Sequence, residues 1–227
     1  MGNRRVKVKI CGVTNWPDAK AAVEGGADFL GFNFYAGSPR YIAPPKARRI
    51  VRRLPKWVSA VGVFVNEREE EMLSIARHVG LDYLQLHGDE PPAAVSRLKG
   101  SLPVIKAIRV RKPFSAGVLT RFKDATAFLL DGYDSQRRGG TGKTFGWEIA
   151  RRAKNYGPIF LAGGLNPKNV GEAIGAAMPY AVDVCSGVEK GPGKKDLVQL
   201  KAFLRAVSAA KNGDARRKSG QAGKVKR

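Results

Sequence analysis

Short apolar or β-branched runs alternate with longer amphipathic stretches along this chain, and the alternation repeats eight times. The runs predict strands at Val6–Cys11, Ala27–Phe32, Ser59–Phe64, Tyr83–Leu86, Pro103–Ala107, Thr126–Leu130, Ile159–Ala162 and Ala181–Val184, each followed by a helix. In Lys46–Leu54, residues Ala47, Ile50, Val51 and Leu54 fall at i, i+3, i+4 and i+7, which makes one apolar helical face. The last helix, Leu197–Ser208, repeats that spacing with Leu197, Leu200, Phe203 and Leu204. Strand then helix, repeated, implies parallel strands joined by right-handed crossovers. The strand runs are apolar almost throughout, as a sheet covered on both faces requires. Eight units of about 25 residues sit at the compact end of the range for an α/β chain closed into a single (β/α)8 TIM barrel. An open doubly wound sheet would carry a glycine-rich turn after its first strand. Here that strand ends in Cys11-Gly12-Val13-Thr14, with no G-x-G-x-x-G.

The 227 residues are 43% hydrophobic, enough to fill one core of this kind. No linker interrupts the body, so one catalytic domain is expected over 1–210. The remaining 211–227 hold seven Lys/Arg, one Asp and no aromatic residue, and are expected to form a disordered tail. The net charge is +22; without the tail's +6 it is still about +16. A basic body fits an anionic ligand or membrane surface, or simply solubility. No apolar run approaches the roughly 20 residues that span a bilayer, and no apolar segment follows the charged N-terminus as in a signal peptide. Two distant cysteines, Cys11 and Cys185, make neither a disulfide framework nor a zinc spacing, and point to a reducing cytoplasm. Two histidines, His78 and His87, argue against a histidine metal site.

In such a barrel the chemistry lies at the C-terminal strand ends. Cys11 ends the first strand. It is either a base, if cationic surroundings lower its pKa, or a small buried hydrophobe. Asp131 ends Phe128-Leu129-Leu130-Asp131, where partial burial would favour proton donation; a turn-capping role is the alternative, and Asp134 is a weaker candidate. Glycine-rich turns follow strands six, seven and eight: Gly139-Gly140-Thr141-Gly142-Lys143, Gly163-Gly164-Leu165-Asn166-Pro167 and Ser186-Gly187-Val188-Glu189. Glycine lets backbone N–H groups approach a phosphate, and barrels often bind phosphate after strands seven and eight. Asn166 and Pro167 are expected as the N-cap and first residue of the next helix. The first of these turns is no P-loop, since Arg137 stands where its first glycine belongs. Its glycines and Arg137-Arg138 mark it as the loop expected to close over a ligand. Arg40 could clamp a carboxylate or remain a solvated loop charge. His87 is expected to shape its loop, and His78 to lie on a helix surface.

Together these segments resemble one family. Lys7-Val8-Lys9-Ile10-Cys11-Gly12-Val13-Thr14, Gly31-Phe32-Asn33-Phe34, Ser38-Pro39-Arg40-Tyr41-Ile42, Leu84-Gln85-Leu86-His87-Gly88-Asp89-Glu90 and Leu130-Asp131 lie in the first two thirds. Gly139 to Phe145, Ala162 to Pro167 and Asp183-Val184-Cys185-Ser186-Gly187-Val188-Glu189 complete the set, in order, between about residues 6 and 209. The chain is similar to phosphoribosylanthranilate isomerases. The resemblance implies a (β/α)8 barrel of tryptophan biosynthesis that performs an Amadori rearrangement with no metal or cofactor. It converts N-(5-phospho-β-D-ribosyl)anthranilate to 1-(2-carboxyphenylamino)-1-deoxy-D-ribulose 5-phosphate. The resemblance places the general base on Cys11, the general acid on Asp131 and the anthranilate-side arginine on Arg40. It places phosphate binding on Gly142, Gly163, Gly164, Ser186 and Gly187; Asp183 joins the substrate-binding set. A monomer or homodimer is expected.

One departure stands out, because the family usually has serine at position 185. In Ala181-Val182-Asp183-Val184-Cys185 a period of two puts Asp183 and Cys185 on one face, inward if the valines face the helices. The first and eighth strands adjoin in a closed barrel, so Cys185 is expected near Cys11, where oxidation could link or inactivate the pair. Three rival readings predict different residues. Indole-3-glycerol-phosphate synthase relies on strand-end Lys and Glu, whereas here strand one ends in cysteine. A nucleic-acid binder would interleave aromatics with its basic residues, which leaves only salt-sensitive binding through the tail. A related isomerase of broader sugar-phosphate range would use the same site.

Overall fold

The computed structural model describes residues 5–110, 113–132 and 147–222. Eight parallel strands close into a barrel in sequence order: β1 (Lys7–Ile10), β2 (Phe29–Asn33), β3 (Ser59–Phe64), β4 (Tyr83–Leu86), β5 (Val104–Arg109), β6 (Ala127–Asp131), β7 (Ile159–Ala162) and β8 (Ala181–Val184). The barrel closes where β1 pairs with β8, with Lys7, Val8, Lys9 and Ile10 opposite Ala181, Val182, Asp183 and Val184. Around it stand α1 (Trp16–Glu24), α2 (Pro44–Val51), α3 (Glu69–Val79), α4 (Pro92–Leu98), α5 (Trp147–Ala153), α6 (Val170–Ala177) and α7 (Leu197–Ala222). Among the described residues no helix is long and apolar enough to cross a membrane.

The alternation along each strand sorts two cores. Val8, Ile10, Val182 and Val184 point outward and pack under the helices. Phe29, Val61, Ile105, Leu129 and Phe160 fill the interior, with the rings of Phe29 and Phe160 edge-on at 5.2 Å. The interior layer nearer the C-terminal mouth is polar. Lys9, Gln85, Lys106 and Asp183 are all buried there. Lys106 Nζ meets Glu90 Oε2 at 2.6 Å and the carbonyl of Gly88 at 2.8 Å, which ties the β4–α4 loop to β5.

Three local expectations change. After β5 the chain forms a 3₁₀ helix, Ala116–Phe122, rather than an α-helix. Ser115 Oγ accepts the N–H of Gly117, and the Thr120 hydroxyl bonds back to the Gly117 carbonyl, so local side-chain bonds set a tighter turn. The helix after β7 begins at Val170 rather than Pro167. Its N-cap is Asn169, and the expected cap, Asn166, instead shapes the turn before it, its Oδ1 accepting the N–H of Lys168. The last helix continues to Ala222, past the end expected at Ser208.

Candidate active site

Cys11 follows β1 directly, and its N–H donates to the carbonyl of Val184 at 2.9 Å, so it extends the β1–β8 ladder by one step. Its side chain therefore shares the inward face with Lys9. Lys9 is fully buried, and its Nζ donates to Asp183 Oδ1 at 3.0 Å. The two partners tell different stories about this pair. Burial alone would lower the Lys9 ammonium, yet Asp183 and Cys11 outweigh it and hold it above its usual value. Burial pushes the Asp183 carboxyl up to about 6, against the attraction of Lys9. The cost of desolvation is more than repaid on Lys9 and repaid only in part on Asp183.

A second buried cation lies below the same thiol. Lys195, in the hairpin strand β10 (Lys194–Lys195) that pairs with β9 (Glu189–Gly191), folds back under the mouth. Its Nζ donates to the carbonyl of Cys11 and, at 2.9 Å, to Glu189 Oε1, and stands 4.0 Å from Cys185 Sγ. Glu189 in turn grips Arg40: the arginine Nε donates at 3.1 and 3.0 Å, and Nη2 at 2.7 Å. Burial works to raise Glu189, and the bonds from Arg40 and Lys195 outweigh it, so the carboxyl lies below its usual range. Hydrogen bonding to Glu189 holds Arg40 above its own.

Counting this cluster, Lys9, Lys195 and Arg40 face Asp183 and Glu189. One positive charge is left over, and a single thiolate balances it. Cys11 is placed to be that thiolate. Its pKa lies well below the ordinary thiol range, first through a hydrogen bond from Cys185 and then, against burial, through Lys9 and Lys195. Cys185 moves the opposite way, through that same bond and through burial. Of the two coupled thiols, Cys11 is therefore the one held low and Cys185 the one held high.

Asp131 ends β6, two strands away from β8, on the far side of the mouth from Cys11. About a quarter of its side chain is exposed, and His87 Nε2 stands 3.4 Å from its Oδ2. Gln85 Nε2 lies 2.8 Å from His87 Nδ1, so the ring is held with its other nitrogen toward Asp131. A cleft of about 490 Å³ opens beside His87, lined also by Lys106, Arg109 and Arg121 among others.

The glycine-rich turns converge. Gly163 and Gly164 have φ of +87° and +68°, a region that favours glycine. A Cβ on Gly163 would stand 2.4 Å from the N of Gly132, and one on Gly187 would stand 1.9 Å from the carbonyl oxygen of Leu165. The loops after β6, β7 and β8 thus touch through backbone at these positions. Among the described residues, the N–H groups of Gly164 and Gly187 donate to no other group of the protein. Ser186 opens the 3₁₀ helix Ser186–Val188 in the same wall. Gly142, Asp134 and Arg137-Arg138 lie outside the described residues.

The structure thus places Cys11, Arg40 and Asp183 in one electrostatic network, and Gly163, Gly164, Ser186 and Gly187 beside it. Arg40, expected to clamp a carboxylate or to remain a solvated loop charge, is held by Glu189. Lys9, Glu189 and Lys195 were not anticipated. Lys9 had a signal: between outward Val8 and Ile10 it must point into the barrel. Lys195 had none, because its burial depends on a hairpin closing over residues far away in sequence.

Comparison with known proteins identifies the family. A family described as N-(5'-phosphoribosyl)anthranilate (PRA) isomerase matches residues 8–206. A protein of Geobacter metallireducens named N-(5'-phosphoribosyl)anthranilate isomerase is 48% identical over 207 residues, covering 90% of this chain and all of that one. The crystal structure of phosphoribosyl anthranilate isomerase from Thermotoga maritima superposes with a TM-score of 0.83 at 44% identity, covering 90% of this chain and 99% of that one. A structure of such an isomerase in complex with reduced 1-(o-carboxyphenylamino)-1-deoxyribulose 5-phosphate superposes at 0.81 with 41% identity and the same coverage. With near-complete coverage on both sides and a barrel mouth built around a poised cysteine, an opposing aspartate and converging glycine turns, the chain belongs to the phosphoribosylanthranilate isomerase family.

Proposed function

We infer that this chain catalyses the Amadori rearrangement of N-(5-phospho-β-D-ribosyl)anthranilate to 1-(2-carboxyphenylamino)-1-deoxy-D-ribulose 5-phosphate, an aldose–ketose isomerisation in tryptophan biosynthesis. The observation that carries the mechanism is the thiolate pocket of Cys11, a strand-end thiol balanced by one excess cation and set across the mouth from a carboxyl group. Asp131 protonates the furanose ring oxygen, and the ring opens to a Schiff base. The Cys11 thiolate then removes the proton on carbon 2, giving an enolamine. Carbon 1 takes up a proton and the enol collapses to the ketone. Acid and base on opposite strands address opposite sides of one small sugar. His87, beside Asp131, orients that carboxyl.

The binding roles follow from charge and backbone. Arg40, steadied by Glu189, faces the anthranilate carboxylate with its remaining N–H groups. The N–H groups of Gly164 and Gly187, with Gly163, Ser186 and Gly142, cradle the phosphate. Asp183 accepts from a sugar hydroxyl while paired with Lys9. Every group comes from residues 1–210 of one chain, so a monomer suffices and a homodimer would carry two such sites. A cytoplasmic, reducing setting suits a working thiolate.

Product binding separates the two sets of roles. Calorimetry should find Kd for the product nearly unchanged in Cys11→Ala and Asp131→Asn. Arg40→Ala should weaken it by roughly ten- to a hundredfold, the scale of a charge-assisted hydrogen bond. Product binding that is unaffected by Arg40→Ala would remove the arginine from the site.

A further inference from the structure

The second thiol at the mouth takes no bond-making step in the isomerisation. Cys11 and Cys185 stand at matching positions on adjacent strands. Ile10 is in register with Val184, and the N–H of Cys11 donates to the Val184 carbonyl at 2.9 Å. Neighbouring strands lie about 4.8 Å apart, inside the Cα separation of about 4.4–6.8 Å that a disulfide spans. The side chains share a face, since the preceding inward pair, Lys9 and Asp183, is in contact at 3.0 Å. Beyond Cys185 the ladder ends and the chain turns into the 3₁₀ helix Ser186–Val188, so sheet pairing does not hold that side rigid.

Two glycines make room for the sulfurs. A Cβ on Gly12 would be 2.9 Å from Cys185 Sγ, and one on Gly31 would be 2.8 Å from Cys11 Sγ. Lys195 Nζ lies 4.0 Å from Cys185 Sγ. Both cysteines are partly exposed, so a small oxidant can reach them. No other cysteine exists in the chain to compete.

We propose that Cys11 and Cys185 form a peroxide-sensitive dithiol that closes to a reversible intramolecular disulfide across β1 and β8. The Cys11 thiolate attacks hydrogen peroxide. An S–O bond forms as the O–O bond breaks, leaving a sulfenic acid and, after protonation, one water. The Cys185 sulfur then attacks the Cys11 sulfur. The S–S bond forms, the S–O bond breaks, and the departing hydroxide leaves with the Cys185 proton as a second water. In total two thiols and one peroxide give one disulfide and two waters, and an added dithiol reverses the change. The bridge consumes the proposed base; its effect on turnover therefore rests on the role given to Cys11.

The test treats the purified, reduced protein with hydrogen peroxide, then measures free thiols, intact mass, peptide map and turnover before and after dithiothreitol. Wild type should lose both free thiols and the mass of two hydrogens. It should show one Cys11–Cys185 cross-linked peptide, lose turnover, and regain it with dithiothreitol. Cys185→Ser, compared with its own reduced activity, should gain oxygen at Cys11 on prolonged exposure and recover poorly. Wild type that keeps both thiols, cross-links between chains, or recovers no better than Cys185→Ser would overturn the proposal. Should that variant fail to fold, the wild-type peptide map decides alone. A bridged protein that still turned over substrate would leave the dithiol standing and overturn the role of Cys11 as base.

Discussion

The excess positive charge under Cys11 can be removed with one substitution. Lys195→Met keeps most of the side chain's volume and deletes its charge, while both ion pairs, Lys9 with Asp183 and Arg40 with Glu189, remain. The cluster then has no spare cation for the thiolate. Lys195 Nζ is bonded to the carbonyl of Cys11 itself, which puts the charge roughly 6 Å from that residue's sulfur. At an effective dielectric of about 20, unit charges at that separation attract by roughly 2–3 kcal/mol. The lysine is fully buried, so solvent screening discounts this little. Converted at about 1.4 kcal/mol per unit, the pH midpoint for thiolate formation should rise by one to two units. The assay is the rate of iodoacetamide alkylation against pH, in a Cys185→Ser background so that one thiol reports. The acid limb of kcat/KM should move in parallel. A folded Lys195→Met protein whose alkylation midpoint coincides with that of its parent would refute the electrostatic account.

Glu189→Gln should act with the opposite sign, adding net positive charge and lowering the alkylation midpoint, while KM rises because Arg40 loses its anchor. Gly187→Ala places a methyl group 1.9 Å from the Leu165 carbonyl oxygen. Relief by a backbone shift should cost about 1–3 kcal/mol, a fall of several degrees in Tm, and should raise KM more than it lowers kcat. Asp183 has its carboxyl raised from 3.8 to about 6, so the folded state holds the proton more tightly than the unfolded chain. The penalty is absent at low pH, develops as pH rises from 3.8 to about 6, and is constant above. Urea titrations should therefore show wild type losing stability relative to Asp183→Asn between those two pH values. A difference that is flat with pH would contradict the shift.

Much of the fold was legible because periodicity is local. Ser59–Phe64, Tyr83–Leu86, Ile159–Ala162 and Ala181–Val184 are strands with the bounds the apolar runs predicted. The valines of β8 face the helices, which is why Asp183 and Cys185 could be read as inward. The segment after β5 was misread because Ser115, Gly117 and Thr120 satisfy one another locally. At the mouth, strand ends identified Cys11, Asp131 and the glycine turns as candidates, but the ion pairs that set their chemistry join distant positions. Lys9 and Asp183 are 174 residues apart, and Arg40 and Glu189 are 149. No spacing rule encodes such pairs. Lys195 was the least visible, a lysine in a polar hairpin whose burial exists only after the barrel has closed.

The most direct test of the account is steady-state turnover of freshly prepared phosphoribosylanthranilate by the wild-type protein, beside folded Cys11→Ala and Asp131→Ala variants. The account predicts turnover by the wild type and a loss of at least roughly a hundredfold in each variant, the usual contribution of an acid or base. A reduced, folded wild type with no turnover, or either variant retaining near-normal kcat, would contradict it.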